Sequence, residues 1–246
     1  MLYDKEAVKL SVVIPAYNEA QRIGPSIERI NGYLSARGIA FEVVVVDDGS
    51  TDATREVVAE AMRSRPSVRL VENGTNRGKG FSLRNGFLNS SGELVLFCDA
   101  DLSTPIEEVD PFIAEVERGA DIVIGSRALR DSRIIKRQPF YRMLMGKTFN
   151  KFVWLLLVRG IADTQCGFKL LKRETCERLF GKLRLDGFAF DVELIFIARK
   201  YGLKVVELPV MWINSPESKV HAVKDSTKML IDLLKVKADD LSGRYS

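Results

Sequence analysis

Two aspartates one residue apart, in Asp99-Ala100-Asp101, stand directly after the wholly apolar run Leu94-Val95-Leu96-Phe97. In an extended segment, positions two apart point to the same side, so both carboxylates can face one cation. Oxygen donors of this kind suit Mg2+ or Mn2+, which are commonly held by one or two carboxylates together with substrate phosphates. A solvated acidic turn capping a helix that starts near Pro105 is the plainer reading. The position after an apolar strand favours the cation. Further polar groups stand after other apolar runs: Pro15-Ala16-Tyr17-Asn18-Glu19, then Asp47-Asp48-Gly49-Ser50-Thr51-Asp52, then Gly125-Ser126-Arg127. Carboxylates gathered on one rim repel each other, so something positive is expected between them. An aspartate of the second group can accept a hydrogen bond from a nucleobase or ribose, although Asp, Gly, Ser and Thr are also ordinary turn and cap residues. Asn76-Arg77-Gly78-Lys79-Gly80 reads as a loop through which basic side chains, Lys79 among them, approach a diphosphate.

The elements that must position these residues alternate. Val12-Val13-Ile14, Val43 to Val46, Val68 to Val71, Leu94 to Phe97 and Ile122-Val123-Ile124 read as strands. Four consecutive valines are expected of a strand covered on both faces. Between the strands, Ile23, Ile27, Ile30 and Leu34 recur at helical spacing, and helices are expected over Val57 to Met62, Phe81 to Leu88 and Ile106 to Val116. Thr51 and Asp52 offer caps for the second of these. Such alternation predicts an α/β fold with a mostly parallel, Rossmann-like sheet flanked by helices. In open parallel sheets ligands bind beyond the carboxyl ends of the strands, where the acids collect. After Arg127 the order changes: one long helix over 139–159, shorter ones over 173–180 and 190–200, a late strand Val205 to Leu208, and an amphipathic helix from about Val223 to Val236. We read 1–246 as one domain, with a nucleotide-binding half over about 8–127 and an acceptor-binding, membrane-interface half over about 128–246.

Composition excludes several chemistries. An apolar fraction of 46% supports a sizeable core, and a net charge of +4 makes the placement of charge more informative than its sum. Cys98, Cys166 and Cys176 have no metal-type spacing, and their odd number gives no complete disulfide framework, which fits a reducing, cytoplasmic compartment. A single histidine, His221, rules out a His-rich metal site and argues against a Ser-His-Asp system. Charges within Met1 to Glu6 argue against a signal peptide there, and the seven-residue apolar run from Phe152 to Val158 is far below the roughly 20 residues that span a bilayer.

The segment from Arg127 to Arg159 is the strongest charge feature. Arg127, Arg130, Arg133, Lys136, Arg137, Arg142, Lys147, Lys151 and Arg159 stand against one acid, Asp131, among aromatic and aliphatic residues that include Phe140, Phe149, Phe152 and Trp154. A basic helix of this kind suits the interface of an anionic membrane; a core helix with a solvated basic face is the alternative. Nucleic-acid binding explains the arginines but not the acidic strand exits, so no nucleic-acid partner is expected.

Taken in this order, the motifs resemble the family 2 inverting glycosyltransferases with the GT-A fold. They are most similar to the polyprenyl-phosphate hexosyltransferases, the dolichyl-phosphate glucosyltransferases and mannose synthases. The resemblance runs from Val12-Val13-Ile14-Pro15-Ala16-Tyr17-Asn18-Glu19 to Glu217-Ser218-Lys219, through Asp163-Thr164-Gln165-Cys166-Gly167-Phe168-Lys169 and Phe190-Asp191-Val192-Glu193. The heptapeptide from Asp163 looks more like the glucosyl branch. The resemblance therefore implies UDP-glucose as donor, with GDP-mannose the alternative, and a polyprenyl phosphate as acceptor. It implies that Pro15, Tyr17, Glu19, Val46 and Asp48 hold the nucleoside and that Asp99, Ala100 and Asp101 surround the diphosphate and its metal. Arg127 is placed where donor and acceptor phosphates meet, and Lys219 on the acceptor loop. Ser103 stands near the metal where mannose synthases carry glutamine. A phosphate acceptor is already anionic, so it needs cations such as Arg133 to hold it rather than a general base. The expected enzyme works peripherally at the cytoplasmic face of a membrane. Transfer to a soluble or glycan hydroxyl, and a catalytically silent nucleotide-sugar-binding scaffold, are the competing functions.

Overall fold

The computed structural model describes residues 8–136, 140–214 and 222–245. Its strands are β1 (Leu10–Ala16), β2 (Phe41–Asp47), β3 (Val68–Glu72), β4 (Leu94–Phe97), β5 (Ile122–Ser126), β6 (Arg133–Lys136), β7 (Lys169–Lys172), β8 (Val205–Pro209) and β9 (Met211–Ile213). Its helices are α1 (Ile23–Ala36), α2 (Thr54–Ser64), α3 (Lys79–Leu88), α4 (Val109–Glu117), α5 (Phe140–Leu156), α6 (Arg173–Phe180), α7 (Phe190–Lys200) and α8 (Ala222–Leu241).

Seven strands form one sheet in the order β3-β2-β1-β4-β7-β5-β8, while β6 and β9 pair separately. The valine run of β2 shows why this sheet is stable. Val44 and Val46 enter the core on one face, with Val13 of β1 and Val95 and Phe97 of β4. Val43 and Val45 enter the core on the other, with Val12, Ile14, Leu94 and Leu96. Each such side chain is wholly or almost wholly buried, and removing one from water contributes about 1.5 kcal/mol or more. Helices α1, α2 and α4 cover the second face and α3, α6 and α7 the first.

Several features depart from the expectation, among them β6 and β9, where no strand was expected. Lys169–Lys172 is a strand, and it runs antiparallel between β4 and β5, pairing Leu96 with Leu170 and Val123 with Leu170. The expected helix over 139–159 occupies Phe140–Leu156, and the last helix continues past Val236 to Leu241. The helix from Ile106 opens with a 3-10 turn over Ile106–Glu108 before α4 begins. Neither expected cap takes the N-cap position of α2, which falls to Ala53 with no side-chain cap; Asp52, one residue earlier, accepts the Thr54 N–H at 3.0 Å.

Candidate functional site

Because β1, β2, β4 and β5 are laid in one direction, the groups beyond their carboxyl ends arrive at one edge of the sheet. Cross-links between those groups set the geometry. Asn18, at φ 55, folds the chain after β1, and its Oδ1 accepts the Thr51 N–H at 2.8 Å, tying the first exit to the second. Glu19 clamps Arg22 through two 2.6 Å contacts, and Arg22 reaches on to Asp101, 3.8 Å away. Asp48 accepts the Asn73 side chain and the Arg77 and Gly78 backbone N–H groups, each at 2.8 Å, and so holds the 73–78 loop in place. Gly78 sits at φ +101, where an L side chain is strained, and a Cβ there would meet the Asp186 carbonyl. This turn brings Lys79 into the first turn of α3, with the next residue fixed by a Gly80 N–H to Asp186 carbonyl bond of 2.7 Å.

Lys79 points at the acidic pair. Its Nζ lies 2.9 Å from Asp99 Oδ1 and 3.7 Å from Asp191 Oδ2. Asp191, at the start of α7, is held on its other oxygen by the buried Lys169, at 2.7 Å, and Lys169 also donates to the Cys166 carbonyl at 2.5 Å. Partial burial works against charge on Asp99, but the Lys79 ammonium outweighs it, with help from Lys169 and Arg127, and holds the carboxyl below its usual range. Burial and the charge of Asp99 push the Asp101 carboxyl upward, against the Ser103 N–H, which donates to it at 3.0 Å. Leu102, between them, adopts φ 44, a rare conformation for a bulky residue, and it turns the chain so that Ser103 can reach back. Gly167 backs the pair: a Cβ at that position would collide with the Asp99 carboxylate.

Arg127 forms the other wall. Its Nε and Nη2 meet Asp163 at 2.6 and 2.9 Å, its backbone N–H meets the same carboxylate at 3.1 Å, and its guanidinium lies 5.7 Å from the Trp212 ring. Glu207 in turn accepts the Asp163 N–H at 2.8 Å. Burial disfavours charge on Asp163, yet the arginine brings its carboxyl down from 3.8 to about 2. A carboxyl depressed in the folded state stabilises it fully above the unfolded value and loses that contribution as the pH falls through the folded one. About 2 kcal/mol of unfolding free energy should therefore vanish between pH 3.8 and about 2. Urea unfolding at stepped pH should show the loss, and Asp163→Asn should flatten that part of the profile.

The expected residues fall into distinct places. Asp99, Asp101, Lys79 and Arg127 are brought together, with Ala100 buried and its carbonyl held by Ser26 at 2.7 Å. Pro15 and the exposed Tyr17 line the exit of β1. Val46, expected at the nucleoside, is wholly buried in the core, so its side chain does not reach the rim. Both oxygens of Asp48 are engaged by the loop it holds, and Glu19 faces Arg22. Arg133 stands exposed at the head of β6, and Lys219 lies outside the described residues. Asp163, Gly167, Lys169 and Asp191 join the site without having been assigned to it. Their clustering in one heptapeptide and at the head of α7 was the available signal.

The donors of this arrangement decide what it can hold. Asp99 and Asp101 are hard oxygen ligands, and a cation, the Lys79 ammonium, already lies against the first. Among the described residues no group of three or more His, Cys, Asp or Glu side chains is arranged to hold a metal. Two carboxylates suit Mg2+ or Mn2+, which complete their shells with water and substrate phosphates.

Residues 11–180, the segment that builds β1 through α6, match the family model described as glycosyl transferase family 2. The chain belongs to that family. It is 35% identical to the dolichyl-phosphate beta-glucosyltransferase of Dictyostelium discoideum over 96% of this chain and 76% of that one. To the Homo sapiens enzyme of the same name it is 35% identical over 99% and 79%. Among solved structures, glucosyl-3-phosphoglycerate synthase from Mycobacterium tuberculosis in complex with Mn2+, UDP-glucose and phosphoglyceric acid superposes with a TM-score of 0.72. That match has 18% identity and covers 98% of this chain and 81% of that one. A Pyrobaculum calidifontis mannosyltransferase in complex with GDP-mannose and Mn2+ gives 0.64 at 24% identity, over 94% and 64%. The fold is the GT-A fold.

Proposed function

We propose that this family 2 glycosyltransferase moves glucose from UDP-glucose to a polyprenyl phosphate of the dolichyl type, at a membrane surface, with Mg2+ or Mn2+ held by Asp99 and Asp101. The observation that carries the reading is the pair of carboxylates at the exit of β4, faced by Lys79 and flanked by the clamped Arg127. The names borne by the most similar relatives support glucose and a dolichyl acceptor.

A bound divalent cation would stabilise the negative charge that grows on the departing diphosphate. The chain's own residues do the rest. The 73–78 loop, pinned by Asp48, presents Lys79 at the diphosphate side. Asp163 takes Nε and Nη2 of Arg127 and fixes its plane, which leaves Nη1 for a phosphate oxygen. As an acceptor oxygen bonds to the anomeric carbon, the bond from that carbon to the diphosphate oxygen breaks. The acceptor phosphate is already ionised at neutral pH, so no side chain has to take a proton. Incubation with UDP-glucose, Mg2+ and a short polyprenyl phosphate should yield a glucosylated lipid. GDP-mannose and free sugar acceptors should serve poorly, and no transfer from any nucleotide sugar would overturn the reading.

Support for the membrane surface comes from two packed helices. Phe152, Trp154 and Leu155 on α5 and Ile231, Leu234 and Leu241 on α8 are all exposed. Exposed Lys151, Arg159, Lys228 and Lys235 accompany them. Apolar side chains among basic ones bind anionic lipid by burial plus charge. No helix among the described residues is long and apolar enough to cross a membrane. Trp154→Ser with Leu155→Ser should lower partitioning onto anionic vesicles about tenfold or more, read by co-sedimentation. Unchanged partitioning would remove α5 from the contact.

A further inference from the structure

Lys79 is a cation resting on a carboxylate assigned to a metal, and a second carboxylate waits beside it. Its main chain cannot move to track a ligand. Gly78 is pinned through its N–H to Asp48 at 2.8 Å, and the Gly80 N–H is bonded to the Asp186 carbonyl at 2.7 Å. Its four-carbon stem can still swing. The Nζ lies 2.9 Å from Asp99 Oδ1, and Asp191 Oδ2 is 3.7 Å away, so a shift of about an ångström trades one partner for the other. Asp191 is built to stay where it is: only 6% exposed, it is held through Oδ1 by Lys169, itself 1% exposed. Asp99 differs, with 43% of its side-chain surface open. One aspartate is therefore a fixed post, and the other faces the space where substrate binds.

Resting on the proposed function, we propose that Lys79 is a resident placeholder for the divalent cation, and that Asp191 is the positioning residue that receives it when the cation takes Asp99. Until the metal arrives, the ammonium keeps the two carboxylates of the Asp99–Asp101 pair from facing each other uncompensated. On arrival, a doubly charged ion at Asp99 repels the ammonium, and Asp191 offers a destination that costs no backbone change. Lys79 then competes with metal in the nucleotide-free protein, and Asp191 eases that competition.

The test is binding of Mn2+ to nucleotide-free protein, read from the electron paramagnetic resonance signal of the free ion. Lys79→Met should bind Mn2+ about tenfold more tightly or better, because the competitor is gone. Asp191→Asn should weaken binding about tenfold in the native background and at most about twofold in the Lys79→Met background, since Asp191 acts through the lysine. Plain field effects of the two charges would instead add. Additive changes, or unchanged affinity in Lys79→Met, would overturn the proposal while leaving the metal site standing. If Mn2+ binds neither native protein nor Lys79→Met, even with UDP present, the metal reading itself falls. Asp191→Asn leaves Lys169 short of its partner, so its fold is checked by circular dichroism; if that variant is unstable, Lys169→Met with Asp191→Leu, which removes both halves of the buried pair, takes its place in the same comparison with and without Lys79→Met.

Discussion

Replacing Asp101 with asparagine should lower kcat/KM for glucosyl transfer about a thousandfold or more while leaving the protein folded. The Asp101 carboxylate makes few structural contacts: its Oδ1 accepts the Ser103 N–H at 3.0 Å, a bond an asparagine oxygen can keep, and Arg22 stands 3.8 Å from Oδ2. What the substitution removes is charge. In the folded chain burial and Asp99 already press on that charge, so its loss relieves repulsion and the melting temperature should hold or rise slightly. In the proposed reaction the same charge would help hold the cation that offsets the leaving diphosphate, a contribution of several kcal/mol and hence of orders of magnitude in rate. Steady-state kinetics alongside thermal unfolding separates the two effects. A loss below about tenfold with a native melting curve would show that the carboxylate is not a working part of the site.

Arg127→Ala should damage both stability and activity. Asp163, 3% exposed, would be left as a buried carboxylate with two backbone donors and no cation, and breaking such a pair costs about 3 kcal/mol. Arg127→Lys restores charge but not the two-pronged contact with Asp163, so it should recover part of the stability. Neither variant should keep the native rate: the proposed acceptor phosphate would lose the nitrogen that Asp163 leaves available, and kcat/KM for the lipid should fall about a hundredfold or more in both. Urea unfolding gives the first comparison and acceptor titration the second. A lysine variant with native acceptor kinetics would relocate the phosphate contact to another cation.

Much of the scaffold could be read from the chain because its strands are apolar on both faces and sit between helices of regular period. β2 carries four valines in a row, as suits a strand covered on both faces. The rim was legible for the same reason: once the strands are parallel, the residues just past each of them must share an edge. β7 was not legible. Lys169-Leu170-Leu171-Lys172 is short, begins and ends with lysine, and leads at once into α6. Nothing local shows that Lys169 is buried, since its counter-ion Asp191 lies 22 positions further on. Asp163 was hidden in the same way, because its partner Arg127 is 36 positions away. Long-range ion pairs leave no periodic trace. Val46 shows the converse limit: its side chain faces the core, so a nucleoside contact implied for it is left to its main chain.

The antiparallel β7 has a consequence for how the molecule handles its substrates. It is laced between β4, which delivers the acidic pair, and β5, which delivers Arg127. The two walls of the cleft are thus neighbours within a single hydrogen-bonded fabric, and they cannot part like the jaws of a clam without tearing it. Entry and exit of bulky ligands must be managed by whatever hangs from the fabric's border, and the distance between the two walls is fixed when the chain folds.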